Sequence, residues 1–148
     1  MIEHYSNYHL SLRAGTENLS FEEAIKIELN NLNNIEINLE NNLQKYTIPR
    51  SYIAKGFYAE QLKIWQKLFK SDQLLILSTE KFEDNFQETI NKIFTFLKIP
   101  KYTINKEKHK VASYPKMKPD TRKCLINFYK SHNEELFKMI GQEFDWNN

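Results

Sequence analysis

The chain has 148 residues, the length of one domain, and 41% of them are hydrophobic, so its composition predicts a folded protein rather than a disordered one. Its 21 lysines and arginines nearly balance 19 aspartates and glutamates, and the formal charge of +2 indicates neither nucleic acid nor a membrane surface as a partner. One cysteine, Cys124, excludes an internal disulfide, and its apolar helical position predicts a small core residue.

The first 43 residues predict two helices. Tyr5, Tyr8 and Leu12 fall at helical spacing, and Ala14-Gly15 then ends the pattern. The sequence Ser20-Phe21-Glu22-Glu23 has the pattern of a capping box, in which a hydroxyl and a carboxylate each accept from an amide at the other's position. A long helix follows, with an apolar face that continues to Leu43 and asparagines on the opposite face.

The stretch from Gly56 to Pro100 predicts a helix, a strand and a second helix. The first helix carries one large apolar stripe, interpreted as core and formed by Tyr58, Leu62, Trp65 and Phe69. Leu74 to Leu77 is a short apolar run without alternation, as expected of a strand that is covered on both faces. Asp84 is predicted to cap the next helix, whose apolar face ends before Pro100.

The last third of the chain predicts a loop and a helix. Residues 101–118 are charged and aperiodic, and loops of this length tend to be functional or disordered. Pro119 suits the first position of the final helix, and Gly141 suits its end. The loop lysines up to Lys110 are open to two interpretations, a solvated charged loop or a cover over an anion.

Several kinds of site have no support in the sequence. The four histidines lack a metal-ligand spacing, so we predict no metal site, and His132 is interpreted as a packing or hydrogen-bonded residue. No serine stands in a Gly-x-Ser-x-Gly pattern. The three glycines, Gly15, Gly56 and Gly141, lie too far apart to form a glycine-rich phosphate loop. No apolar run approaches the roughly 20 residues of a membrane-spanning helix, so we expect no membrane span and a cytoplasmic location.

The order and spacing of the segments along the chain carry more information about the class of protein than any single residue does. The series SNYHLSLRAGTENLSFEEAI, GFYAEQLKIWQKLF, QLLILSTEKFEDNFQETINKIFTFLKIP and SYPKMKPDTRKCLINFYKSHNEELFKMIGQEFDW covers nearly the whole chain. It resembles the carboxy-terminal half to two-thirds of the sulfotransferase domain of bacterial sulfotransferases and of heparan sulfate N- and 3-O-sulfotransferases. We therefore expect residues 1–148 to be a single partial domain, without the amino-terminal part that binds the 5′-phosphosulfate.

The resemblance implies an α/β fold of the P-loop kinase-like sulfotransferase type, here a truncated, mostly helical part with one or two short parallel strands. It also implies transfer of a sulfuryl group from 3′-phosphoadenosine 5′-phosphosulfate (PAPS) to a hydroxyl or an amine, with no metal. Such a transfer needs in-line placement, a cation for the bridging oxygen and a base for the acceptor. Most of these groups belong to the family's first third, so we expect the isolated chain to be inactive.

The resemblance suggests two cofactor-binding residues. Ser6, in Tyr5-Ser6-Asn7-Tyr8, matches a family serine that binds the 3′-phosphate together with an arginine, which would fall before Met1. Lys110, before Tyr114-Pro115, matches the lysine of a Lys-Gly-Arg loop that closes over the nucleotide, although Val111 and Ala112 replace the glycine and the arginine. Lys55 and Tyr58 are weaker candidates for binding the sulfate acceptor. No catalytic residue is predicted.

The expected partners are a carbohydrate or small-molecule acceptor and either a separately encoded amino-terminal half or a second copy of the chain, but not nucleic acid. The alternative function is a non-enzymatic helical interaction protein or partner subunit. Both hypotheses expect the apolar run from Leu74 to Leu77 to need a cover.

Overall fold

The computed structural model describes residues 2–34, 51–107 and 113–146, and the regular structure within them is helical. The six α-helices are α1 (Ile2–Arg13), α2 (Phe21–Asn34), α3 (Tyr58–Leu68), α4 (Thr79–Asp84), α5 (Phe86–Leu97) and α6 (Pro119–Ile140). Two short 3₁₀ turns cover Ala54–Gly56 and Ser71–Gln73. The chain divides into two compact units, one of residues 1–64 with 114–148 and one of residues 65–113.

The first unit contains two apolar clusters. The larger cluster joins α1, α2, α6 and the segment before α3, and it is formed by Tyr8, Phe21, Ala24, Ile25, Tyr52, Ile53, Ala54, Phe57, Leu125 and Tyr129. The smaller one packs α3 on the end of α6 and has Ala59, Leu136 and Phe137 at its centre. His132 lies against Phe57, with 4.4 Å between ring centroids, so its prediction as a packing residue is confirmed.

The predicted helix ends of the first unit are confirmed. The amide of Ser20 donates to the Glu23 carboxylate (2.9 Å), and the amide of Glu23 donates to the Ser20 hydroxyl (3.3 Å), so the capping box is present. The left-handed backbone at Gly15 (φ 70°) and Gly141 (φ 63°) follows α1 and α6, as terminal glycines allow. The predicted continuation of α2 to Leu43 lies outside the described residues.

A buried carboxylate fixes the segment that leads into α3. Glu28 on α2 accepts hydrogen bonds from the amides of Ile53 (2.9 Å) and Ala54 (2.8 Å). Burial raises the pKa of Glu28, although these amide hydrogen bonds act in the opposite direction. The Tyr129 hydroxyl donates to the carbonyl of Ile53 (2.7 Å), so α2 and α6 both hold this connection in place.

The predicted strand in the second unit is wrong for the part of the chain that the structure describes. Residues 74–77 are neither helical nor part of a sheet, and Leu75, Ile76 and Leu77 are 38–40% exposed. A strand forms only when a neighbouring strand pairs with its amides and carbonyls, and no segment of residues 2–34, 51–107 or 113–146 does so. The one or two short parallel strands expected from the resemblance are therefore absent from these ranges.

The second unit also contains a helix that the sequence analysis missed. Ser78, directly after the apolar run, caps α4 by accepting a hydrogen bond from the amide of Lys81 (3.0 Å). Asp84 ends α4 and does not cap α5, whose flanking residue is Asn85. The predicted loop is held to these helices at its start, since Lys106 pairs with Glu83 (2.7 Å).

Two predictions of burial are wrong. Trp65 and Phe69, the distal half of the predicted core stripe of α3, are 54% and 41% exposed, whereas Leu62 packs on the smaller cluster. Cys124 is exposed because the buried face of α6 passes through Thr121 and Leu125. Successive residues of an α-helix differ in direction by about 100° around the helix axis. A side chain one position away from a buried residue can therefore point to solvent.

Candidate functional site

A hydrogen bond between two hydroxyl groups brings together distant parts of the first unit. Ser6 lies in the middle of α1 and is half-buried. Its hydroxyl is hydrogen-bonded to that of Tyr114, 108 positions further along the chain, and either oxygen can act as the donor. Tyr114 lies five residues before the first residue of α6, near the end of the predicted loop of residues 101–118.

Two aromatic rings pack against the Tyr114 ring beside this hydrogen bond. His9, one turn after Ser6, stacks on Tyr114 with 5.0 Å between centroids and an interplanar angle of 15°. Tyr5 meets the same Tyr114 ring edge to face at 5.7 Å and also contacts Phe21 at 4.8 Å. We call Ser6, Tyr5, His9 and Tyr114 the Ser6 site. The packed rings leave the Tyr114 hydroxyl little freedom to move away from Ser6.

His9 and Tyr5 carry no charge around physiological pH. Burial, and then the charge of Arg13, lowers the pKa of His9, so its ring is uncharged there. Burial, and then the charge of Glu22, raises the pKa of Tyr5, so its hydroxyl stays protonated. The His9 Nε2 atom is buried and has no hydrogen-bond partner among the described residues. The Ser6 site thus offers hydroxyl groups as hydrogen-bond donors, and such donors suit a phosphate whose charge is balanced by cations elsewhere.

The structure places only some of the predicted site residues. Ser6 is placed as described, whereas Lys110 lies outside the described residues, four positions before Tyr114 in the sequence. Lys55 is exposed in the 3₁₀ turn before α3. Tyr58 packs on Trp146 with 5.9 Å between centroids and belongs to the smaller cluster, whereas the Ser6 site adjoins the larger one.

Tyr114 and His9 were missed as site residues by sequence reasoning. The spacing of Ser6 and His9, three residues apart in a predicted helix, could have placed both side chains on one face. Nothing in the local sequence indicates that Tyr114 contacts this face, because a contact over 108 positions depends on how α1 and α6 pack.

Two features are absent from the described residues. No group of three or more histidine, cysteine, aspartate or glutamate side chains is placed to hold a metal ion. No helix among residues 2–34, 51–107 and 113–146 combines the length and the apolar character needed to cross a bilayer.

The helical arrangement is that of a known fold. The structure of a sulfotransferase from Alicyclobacillus acidocaldarius superposes with a TM-score of 0.72, at 22% sequence identity, over 98% of this chain and 53% of that protein. The family model for the sulfotransferase domain matches residues 4–148. The chain belongs to the sulfotransferase domain family.

Curated relatives from eukaryotes match about two-thirds of the chain. The membrane-associated sulfotransferase kil1 of Dictyostelium discoideum is 28% identical over 97 residues, which are 65% of this chain and 21% of that protein. Human carbohydrate sulfotransferase 15 is 31% identical over 104 residues, which are 62% of this chain and 18% of that protein. The chain thus spans about a fifth of the length of these relatives and about half of the bacterial structure.

Proposed function

We propose that this chain supplies the 3′-phosphate-binding part of a PAPS-dependent sulfotransferase. In the complete domain, the S–O bond of the phosphosulfate breaks and a new bond forms between sulfur and an acceptor oxygen or nitrogen. The products are adenosine 3′,5′-bisphosphate and the sulfated acceptor, and the acceptor proton passes to a base. The observation that carries this proposal is the hydrogen bond between Ser6 and Tyr114, which joins the two segments predicted to contact the cofactor.

The residues of the Ser6 site fit a phosphate. Ser6 and Tyr114 provide two adjacent hydroxyl groups on a half-buried helix face. Lys110, four residues before Tyr114, would supply the positive charge that the Ser6 site itself lacks. The acceptor is proposed to be a carbohydrate or a small molecule, and the carbohydrate sulfotransferase among the relatives supports the first of these. Lys55 and Tyr58 remain proposed acceptor contacts.

Nucleotide binding tests this proposal directly. Isothermal titration of the chain with adenosine 3′,5′-bisphosphate should give measurable heat, and Ser6→Ala should weaken the affinity by roughly 10- to 100-fold, because a hydrogen bond to a charged oxygen is lost. Ser11→Ala, on the same helix, is the control and should bind normally. Equal affinities for the Ser6→Ala variant and the unmodified chain would contradict the assignment of Ser6.

We propose that the 148-residue chain by itself transfers no sulfuryl group. The sequence has no glycine-rich loop to bind the 5′-phosphosulfate, and no catalytic base is predicted in it. Incubation of the pure chain with radiolabelled PAPS and a panel of carbohydrate and small-molecule acceptors should therefore leave the label in the nucleotide. Turnover in this assay would show that these residues are sufficient for catalysis.

The partner is proposed to be a separately encoded amino-terminal half of the same domain. Leu75, Ile76 and Leu77 are apolar, more than a third exposed and not part of a sheet among the described residues, and the bacterial sulfotransferase has about twice the extent of this chain. A parallel strand from such a half would pair with them. Co-expression with the matching half of a sulfotransferase, followed by size-exclusion chromatography, tests this. Dimers of this chain alone would favour self-association.

A non-enzymatic interaction protein is the second candidate, and the exposed apolar side chains of residues 65–107 favour it. The two candidates differ in nucleotide binding. If adenosine 3′,5′-bisphosphate fails to bind even when the missing half is supplied, the interaction protein is the better description. A cytoplasmic location remains the prediction for both, and cell fractionation tests it.

A further inference from the structure

We infer that Tyr114 is a positioning residue for the cofactor's 3′-phosphate, because its hydroxyl fixes the direction in which the Ser6 hydroxyl donates. This inference rests on the proposed function, since it assigns a role to Tyr114 within the proposed nucleotide site. The observation behind it is the hydrogen bond between the two hydroxyl groups, inside a cluster of packed rings.

A lone serine on a helix has a weak preference for any external acceptor. Its hydroxyl can turn toward the backbone carbonyl of the preceding turn, and this local bond competes with an anion. A hydroxyl group donates one hydrogen bond and accepts two. If Tyr114 donates to the Ser6 oxygen, the Ser6 hydrogen can point to a phosphate oxygen when the nucleotide binds, and the two hydrogen bonds strengthen each other.

Tyr114 can perform this role because its ring is fixed on two sides. His9 stacks on one face at 5.0 Å, and Tyr5 meets the ring edge to face at 5.7 Å. The uncharged His9 ring packs without repelling cations that accompany the phosphate. The predicted cofactor lysine, Lys110, is four residues before Tyr114 in the sequence, and Tyr114 itself is hydrogen-bonded to α1.

The test is a double-mutant cycle on nucleotide affinity. Tyr114→Phe removes the hydroxyl and keeps the ring, so the packing with His9 and Tyr5 is retained. We expect its affinity for adenosine 3′,5′-bisphosphate to fall by about 3- to 10-fold, as for the loss of one hydrogen bond. In a Ser6→Ala background, the same substitution should change the affinity by less than about twofold, because Tyr114 acts through Ser6.

A second ligand separates positioning from a general structural effect. Adenosine 5′-monophosphate lacks the 3′-phosphate, so any binding of it should be equal in the unmodified chain and in Tyr114→Phe. Tyr102→Phe is the matched control, since it removes a phenol hydroxyl from a ring that is 63% exposed, and it should change neither affinity. Thermal melting of each variant checks that the fold is intact.

The outcomes of these experiments separate the positioning role of Tyr114 from the proposed function. Normal binding by Tyr114→Phe, an equal loss with and without Ser6, or a parallel loss for the monophosphate would each overturn the positioning role and leave the proposed function standing. If adenosine 3′,5′-bisphosphate binds neither the unmodified chain nor that chain supplied with the missing half, the proposed function fails, and the positioning role fails with it.

Discussion

At the scale of single residues, close contacts with a buried tyrosine explain the glycine that precedes α3. A Cβ atom added to Gly56 would lie 2.7 Å from both Cε1 and the hydroxyl oxygen of Tyr129. The Tyr129 ring cannot move aside easily, because its hydroxyl donates to Ile53 and the ring is buried. The absence of a side chain at position 56 therefore lets α6 approach the start of α3.

The first prediction concerns this contact. Gly56→Ala should lower the free energy of unfolding by about 1–3 kcal/mol, the usual cost of overpacking a core, as measured by urea denaturation. Gly15→Ala is the comparison, because its added Cβ meets nothing within 4 Å and only the left-handed backbone (φ 70°) is strained. A Gly56→Ala variant as stable as the unmodified chain would mean that Tyr129 can shift.

Glu28 allows a prediction about pH. Because burial raises its pKa, the folded chain holds this proton more tightly than the unfolded chain does. The contribution of Glu28 to stability therefore falls as the pH rises from the ordinary glutamate pKa of 4.5 through the higher pKa of the folded state. Urea unfolding between about pH 3 and about pH 8 measures this for the unmodified chain and for Glu28→Gln, which cannot titrate.

The free energy of unfolding of the unmodified chain minus that of Glu28→Gln isolates the contribution of Glu28. This difference should decline as the pH rises. Glu23→Gln provides a control of opposite sign. Hydrogen bonds from Ser20 lower the pKa of Glu23, so its contribution is present above 4.5 and is lost as the pH falls through the lower pKa of the folded state. A difference profile for Glu28 that rises with pH would contradict the effect of burial.

At the scale of elements, local capping signals determine where the helices of the first unit begin and end. The capping box of α2 and the terminal glycines of α1 and α6 all satisfy backbone groups within a few residues. Such signals are strong because they need no tertiary contact. Such signals fail to place a helix start where two helices are nearly continuous, as at Asp84, where the single residue Asn85 separates α4 from α5.

The capping box gives the third prediction. Ser20→Ala removes the hydroxyl that accepts from the Glu23 amide and should lower the free energy of unfolding by about 1 kcal/mol. Ser131→Ala, at an exposed position inside α6, is the control and should have little effect or a slight stabilising one, because alanine is the better helix former. Urea denaturation measures both. Equal effects of the two substitutions would argue against a capping role.

At the scale of the whole molecule, the apolar run at residues 74–77 is the feature that the described chain leaves without a cover. Leu75, Ile76 and Leu77 are each more than a third exposed, and no described segment pairs with their backbone. Exposed apolar runs with free amides and carbonyls readily accept another strand. We therefore propose that another polypeptide segment covers Leu75, Ile76 and Leu77.

The fourth prediction follows from this exposure. Ile76→Lys should weaken self-association, or binding to an amino-terminal half, by at least about tenfold, because a buried charge would be left without a partner. Leu10→Lys is the matched control, since Leu10 is 58% exposed but lies in a helix whose backbone is already paired. Sedimentation velocity measures the association. If Ile76→Lys associates as the unmodified chain does, the run is not the interface.

Helix periodicity, helix caps and the order of the motifs that identify the family could be predicted from the sequence, because each depends on residues close together in the chain. The helix that carries Ser6 could be predicted in the same way. The contact of Ser6 with Tyr114, the need for glycine at position 56 and the exposure of Trp65 and Cys124 could not. Those facts depend on which faces of distant helices pack together, and hydrophobic periodicity shows that a face is apolar without showing what covers it. The same reason explains the strand that was predicted at Leu74 to Leu77, since a strand is completed by its neighbours and not by its own side chains.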